Sequence, residues 1–389
     1  MTPSAATEHI RVPGITDEEL DERLARVRAE LAARGLKGLI AYSAHRDYQP
    51  GDLRYLARWL CLEEESACLY IPLEGKTTLI TNASWDLRRA QAEGHADQAL
   101  HAVEFADILE DLLGPAIRSG DKIGISGWSF FPAPTYVGLT KAYPGVTFSD
   151  ETDILTGLRS VKSEAELELI RTACRITDAA MRAALEVTRE GATEVEIAAA
   201  AEFVIRSSGA EPSFIFEIGS GTRTASGICL PTVRRIDRGD IVTIDVGGMV
   251  EGYHGDMARA LVIGGPNEFQ RRLLEAADSS HAAAVAAIRP GITVKELNAI
   301  AADAVAKAGL SEYWSGDFMP HGLGTAQHEP PEGPKDFDME LRSGMVLAIE
   351  PVIVVPDVGG VIAEHMIVVT DGGAEELSEI PTDVWRSFT

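Results

Sequence analysis

The chain has 389 residues, 45% of them hydrophobic and 24% charged, a globular composition and more than one ordinary core can hold. Sixty acidic residues against 35 basic ones give a net charge of -25, which argues against nucleic acid or an anionic membrane as the main partner. No apolar run is long enough to span a membrane, the N-terminus lacks a signal-peptide core, and the four cysteines form no CxxC pair, so a cytoplasmic protein with reduced core cysteines is expected.

Residues 16–34, "TDEELDERLARVRAELAAR", predict a helix with a polar start, and "GLKGLIAYS" a buried strand. "ESACLYIPL" and "KTTLITN" read as a strand pair across "EGK", and "DKIGISG" as another strand. Strands alternating with helices give an α/β N-terminal domain, expected to cover residues 1–157. Ser163 followed by Glu166 is a capping-box signature, so a long helix opens the second domain, residues 158–389.

That domain contains an internal echo. "REGATEVEIAAAAEFVIRSSG" starts at Arg189 and "RPGITVKELNAIAADAVAKAGL" at Arg289. Both run Arg-x-Gly-x-Thr, place Glu three residues after the Thr, and continue as an alanine-rich amphipathic helix. They are either two similarly capped helices or the marks of a duplicated half-domain, with a site where the halves meet.

Between the two lies "IDVGGMVEGYHGDMARA", in which Asp245 and Asp256 sit inside strand-like sequence. Pairing of these strands around Val250 and Glu251 would set the two aspartates opposite each other, with Cβ atoms roughly 4.5–5.5 Å apart. Like charges so close, half buried, require a protonated carboxyl or a cation between them; a pair exposed to water beside the turn is the alternative. A cation needs further ligands. His321 and His328 in "FMPHGLGTAQHEPPEG", Glu350 at the end of the apolar strand "GMVLAIEP", and Glu364 in the middle of "GGVIAEHMIVVT" are the candidates. Four carboxylates and a histidine, mostly embedded in apolar strands, are better explained together by metal than one by one.

Taken in order, "GDIVTIDVGG", "GYHGDMAR", "HGLGTAQHEPP", "SGMVLAIEP" and "IAEHMIVVT" resemble the motifs of the pita-bread metallopeptidase superfamily, which includes methionine aminopeptidase, aminopeptidase P, prolidase and the non-peptidase creatinase. The resemblance runs from about residue 160 to the C-terminus and implies a C-terminal pseudo-two-fold α/β domain, in keeping with the echo. The N-terminal half is similar to the extra α/β domain of the aminopeptidase P, prolidase and creatinase branch. By this resemblance Asp245, Asp256, His321, Glu350 and Glu364 are the ligands of two divalent metal ions, Mn, Co, Fe or Zn. Asp256 and Glu364 are the bridging ligands. Glu350 would also shuttle a proton, and a hydroxide between the ions would attack a carbonyl; His328 would hydrogen-bond the substrate or the tetrahedral intermediate, the alternative being an ordinary loop histidine near Pro330 and Pro331. His321 and His328 join Glu350 in the catalytic set. A homodimer acting on a small peptide or small-molecule substrate is implied.

The function expected is a dinuclear metal hydrolase of the Xaa-Pro dipeptidase or aminopeptidase type. The alternatives are a metal-dependent non-peptidase acting on a small solute or modified amino acid, and a silent binding protein on the same fold. Several positions depart from the peptidase pattern. Ile228 and Cys229 stand near where peptidases carry a histidine, Ile362 where prolidases have arginine, and Ala258 where they have threonine. "HGLGTAQHE" is spaced more like methionine aminopeptidase. Arg54, Tyr55 and Trp59 are candidates for shaping a partner subunit's pocket, or ordinary core or surface residues. "HEPPE" fails as a zinc-protease helix because its two prolines cannot sit there.

Overall fold

A computed structural model of the chain describes residues 14–44, 51–61, 65–114, 117–211, 216–227, 229–316 and 319–388. Contacts divide it into Gly14–Arg159 and a unit from Ser160 onward.

The N-terminal unit is built on six strands: β1 (Gly38–Ala44), β2 (Ser66–Pro72), β3 (Thr78–Thr81), β4 (Gln98–His101), β5 (Lys122–Ser126) and β6 (Thr147–Asp150), in the order β4-β3-β2-β1-β5-β6. The expected pair β2 and β3 is antiparallel, whereas β5 lies parallel to β1. Alternation sends Leu39 and Ala41 to one apolar cluster and Ile40 and Tyr42 to the other, so the sheet is buried on both faces. Thr16 caps the helix Asp17–Arg34 as its sequence predicts. Tyr55 and Trp59 are buried in this core, each under an arginine, Arg23 and Arg89, so neither is a surface group that could reach a partner.

The second unit holds two helix pairs, Glu164–Val187 with Glu194–Ser207, and Glu268–Ala287 with Val294–Lys307. Both members of the sequence echo form capping boxes, Thr193 with Glu196 and Thr293 with Glu296, and each starts a helix of 14 residues. Ser163 and Glu166 make the third expected box. Among the described strands, β7 (Phe216–Ser220), β8 (Ile241–Val246) and β11 (Met257–Val262) form one sheet, ordered β11-β8-β7. The hairpin β9 (Met249–Val250) and β10 (Tyr253–His254) extends from it. The other half supplies β12 (His321–Gly322), β13 (Glu329–Glu332), β14 (Val346–Ile349), β17 (His365–Thr370) and β18 (Gly373–Glu376), ordered β13-β12-β14-β17-β18. A second hairpin, β15 (Val352–Val355) with β16 (Gly359–Ile362), joins β14 to β17.

Two contacts fix the loops of this unit against the long helix. A Cβ on Gly255 would lie 2.7 Å from the Ala173 backbone, so only glycine lets the chain press there, immediately before Asp256. Lys162, just ahead of the helix, meets Glu329 at 2.7 Å with both side chains 1% exposed, and Glu329 follows His328 in the chain. Truncating Lys162 would leave a buried carboxylate without its counter-charge, a change worth about 3–5 kcal/mol. We therefore expect Lys162→Ala to lower the free energy of unfolding by about 3 kcal/mol in denaturant titrations, and an effect under about 0.5 kcal/mol would show that water replaces the pair.

Candidate metal centre

The turn of the first hairpin is Glu251-Gly252, both with positive φ, rather than Val250-Glu251. The register therefore places Asp245 opposite Ala258, and Asp256 falls diagonally across, just before β11 begins. The two aspartates are thus diagonal neighbours and not a directly opposed pair. Their carboxyl groups are still close enough to share a hydrogen bond.

The second half repeats this arrangement. His321 opens β12 and stands opposite Ala348, two residues before Glu350. Glu350 follows the last residue of β14 directly. Glu364 was expected in mid-strand, but the chain breaks there: β16 ends at Ile362 and β17 begins at His365. Ile349 pairs with His365, so Glu350 and Glu364 stand across from each other one step beyond the ladder. Glu364 donates its backbone N–H to the Ala258 carbonyl, which ties the second half to the strand that follows Asp256.

The side chains converge. His321 Nε2 lies 3.6 Å from a Glu350 oxygen and 3.7 Å from a Glu364 oxygen. Asp256, His321 and Glu364, all buried, each present a ligand atom within 4.8 Å of the others. Burial holds His321 neutral, with its pKa down to about 4, so these contacts are not ion pairs. Its Nδ1 faces the Gly322 carbonyl at 3.3 Å, which leaves the Nε2 lone pair directed at the carboxylates. Asp245 Oδ1, Asp256 Oδ1 and Glu364 Oε2 are buried with no hydrogen-bond partner. Burial, reinforced by the neighbouring charges with Glu364 foremost, pushes Asp245, Asp256 and Glu350 well above the carboxylate range. Burial raises Glu364 itself to about 8. Orphaned buried oxygens beside an imidazole lone pair fit divalent cations well, because a cation satisfies all of them at once.

His328 stacks on His321 with ring centroids 4.0 Å apart and planes 6° from parallel, and burial lowers its pKa to about 3. It therefore stands at the centre as a neutral imidazole. Of the positions that depart from the peptidase pattern, Ile228 lies outside the described residues, while Cys229 is buried with its thiol directed at the Arg223 carbonyl.

Two further features were missed in the sequence. Arg259, fully buried, donates to the Glu364, Ile380 and Pro381 carbonyls and contacts His365, whose Nδ1 meets Glu376 at 2.7 Å. This scaffold holds the joint that carries Glu364. Glu217, on β7, pairs in register with Asp245 and adds a further carboxyl group to the cluster, its own pKa raised by burial. An acidic residue in the apolar run "FIFEIG" was the available signal.

Without metal, these carboxyls make stability depend on pH. In the unfolded chain a glutamate ionises near pH 4.3, whereas folded, metal-free Glu364 keeps its proton to about 8. Between those values the folded state binds more protons than the unfolded state, so stability falls as pH rises. We expect the Tm of chelator-stripped protein to drop steadily from roughly pH 5 to pH 8 and the metal-loaded protein to lack this slope. A flat or rising Tm for the stripped protein across that window would contradict the placement of these groups.

Comparison with known proteins accords with this geometry. Residues 168–371 match the model of metallopeptidase family M24, and residues 23–161 that of the creatinase/prolidase N-terminal domain. An Xaa-Pro dipeptidase of Pyrococcus horikoshii is 32% identical over 88% of this chain and 92% of its own length. A probable dipeptidase, PepE, of Mycobacterium tuberculosis is 31% identical over 93% of this chain and 95% of its own. Among solved structures, the prolidase from Pyrococcus horikoshii superposes with a TM-score of 0.81 at 30% identity, covering 92% of this chain and 98% of that one. Family membership implies divalent metal ions, and the carboxylate–histidine cluster is where they fit. The chain is thus a metallohydrolase belonging to metallopeptidase family M24, with the pita-bread fold and a creatinase/prolidase-type N-terminal domain.

Proposed function

We propose that this protein is a dinuclear metal-dependent peptidase that cleaves the bond between an N-terminal residue and proline. The observation that supports the proposal is the convergence of Asp256, His321 and Glu364, with Glu350 beside His321, Asp245 beside Asp256, and three carboxylate oxygens left unpartnered. Relatives named Xaa-Pro dipeptidase and prolidase across nearly the whole chain support the substrate class.

Asp245, Asp256, His321, Glu350 and Glu364 would hold two divalent ions, with manganese, cobalt, iron and zinc the candidates for an oxygen-rich set with one imidazole. Bound there, such ions polarise a substrate carbonyl and make a water molecule acidic enough to attack at neutral pH. The chain's own groups do the rest. Glu350, at the lip of the cluster and lining the adjoining cavity, is placed to take the proton from the attacking water and deliver it to the leaving nitrogen. His328 is a neutral imidazole that can donate a hydrogen bond to the substrate carbonyl oxygen as negative charge grows on it. Val352, Val354, Val361 and Ile362 line the same cavity of about 400 Å³ and give it an apolar wall. A homodimer in the cytoplasm completes the proposal.

A second function, hydrolysis of a small solute that is not a peptide, is favoured by one observation. Among the described lining residues of the cavity there is no lysine, arginine or histidine to receive the carboxylate of a free dipeptide.

Metal analysis of purified protein combined with an Xaa-Pro assay in added Mn²⁺, Co²⁺, Fe²⁺ or Zn²⁺ tests the proposal. We expect about two ions per chain and metal-dependent release of the N-terminal residue; two ions with no cleavage of any Xaa-Pro peptide would replace the peptidase by the solute hydrolase. Asp256→Ala and Glu364→Ala should each reduce bound metal to about one ion or less and bring activity to background, since each removes a shared ligand. Retained activity in either variant would sink the dinuclear centre.

A further inference from the structure

Glu217 is a carboxylate for which the proposed chemistry has no use. It stands on the edge strand β7, in register with Asp245 and facing the same side of the sheet. It lines the cavity together with Asp245 and Glu350, and its side chain makes no hydrogen bond or ion pair with any described residue. The four expected ligand carboxylates balance two divalent ions charge for charge. Glu217 is then left over, half-buried, in a cavity whose described lining contains no basic side chain. A carboxylate that loses part of its hydration and finds no protein partner must either keep its proton or meet a cation, and a cation brought by the ligand supplies that partner.

The remaining walls indicate what carries that cation. Val352, Val354, Val361 and Ile362 offer an apolar surface, and Thr243 and Ser315 add small polar groups. Apolar walls leading to a carboxylate outside the proposed metal set suit an aliphatic stem that ends in an ammonium or guanidinium group. The chain's net charge of -25 draws cations toward such a cavity and repels anionic substrates.

We propose that Glu217 is a specificity-determining residue that receives a positively charged side group of the substrate, so that the enzyme prefers cationic compounds over neutral ones of the same size. The inference rests on the metal-hydrolase function proposed above, and the test separates the two. Cleavage of Lys-Pro and Arg-Pro peptides is compared with that of Met-Pro and Leu-Pro peptides, for the wild type and for Glu217→Gln and Glu217→Lys. The wild type should show at least a tenfold higher kcat/KM on the basic peptides, expressed mainly in KM. Glu217→Gln should bring that ratio close to one, and Glu217→Lys should invert it and improve cleavage of Glu-Pro.

Two further readouts do not depend on turnover. Metal content of Glu217→Gln should equal that of the wild type; loss of an ion would make Glu217 a ligand and overturn the proposal. Binding of the non-proline fragments to metal-loaded protein, followed by calorimetry, should favour lysinamide over norleucinamide in the wild type and lose that preference in Glu217→Gln. Cleavage of all Xaa-Pro peptides at equal efficiency, with no effect of either substitution on selectivity, would overturn the inference and leave the peptidase function standing. If no Xaa-Pro peptide is cleaved at all, the peptidase function fails, and the lysinamide preference alone decides whether Glu217 reads a cation; its absence then refutes the inference too.

Discussion

Carboxyl groups repel one another, and this molecule concentrates them where water is scarce. Asp245, Asp256, Glu350 and Glu364 share one cluster, and burial together with their mutual charge drives their pKa values upward. Such an arrangement is unfavourable for folding on its own. It persists because two apolar clusters, one of which draws residues from both half-domains, hold the strands that carry it. A cation that binds only the folded chain returns stability in proportion to the logarithm of its concentration over its dissociation constant. Folding and metal loading are therefore coupled, and the same oxygens that strain the metal-free protein give it affinity.

The cluster is possible because all of its members but Asp245, which is held within β8, sit where strands begin, end or break. Asp256 precedes β11, Glu350 follows β14, Glu364 fills the joint between β16 and β17, and His321 opens β12. Within a ladder, a side chain must alternate between the two faces of the sheet. At an end it is released from that rule while its backbone stays anchored by the neighbouring pairs. Arg259 serves this geometry from behind. It gathers the carbonyls of Glu364, Ile380 and Pro381, and its charge opposes the rise that burial imposes on Glu364. A lysine could not replace it, because a single ammonium lacks the planar fork that reaches several carbonyls at once.

Much of this was legible in the sequence, and the limits have physical causes. Capping boxes are local, so Ser163, Thr193 and Thr293 marked three helix starts correctly. Carboxylates within apolar runs signalled the cluster, because an isolated charge there has no satisfactory solution. Register was harder. The hairpin turns one residue later than expected, and a one-residue change in the turn moves the partner across the strand by two, from Asp256 to Ala258. The break at Glu364 was hidden because β16 and β17 read as one continuous apolar stretch. Tyr55 and Trp59, which suited a role at a partner's pocket, are core residues, since nothing local distinguishes an aromatic in a core from one on a surface. Glu217 obeyed the same logic as the clustered carboxylates but belongs to no sequence motif, and only strand pairing shows that it stands beside Asp245.

The position of Glu217 bears on how a metal hydrolase acquires selectivity. The ions and their ligands act on any carbonyl that reaches them, so they contribute catalysis with little discrimination. Discrimination must come from groups that touch the rest of the substrate, and a buried charge is the strongest such group because an unmatched partner leaves it unpaired. A carboxylate placed next to the proposed ligands has an additional consequence. It lies close enough to interact with Asp245, Asp256, Glu350 and Glu364, and so it adds to the repulsion the site must overcome when metal and substrate are absent. A cationic substrate relieves that repulsion as it binds, and its affinity then includes a contribution from the protein's own strain. Removing the charge should therefore loosen the hold on cationic substrates while making the metal-free fold more stable, a pairing of opposite effects that no purely structural role for Glu217 would produce.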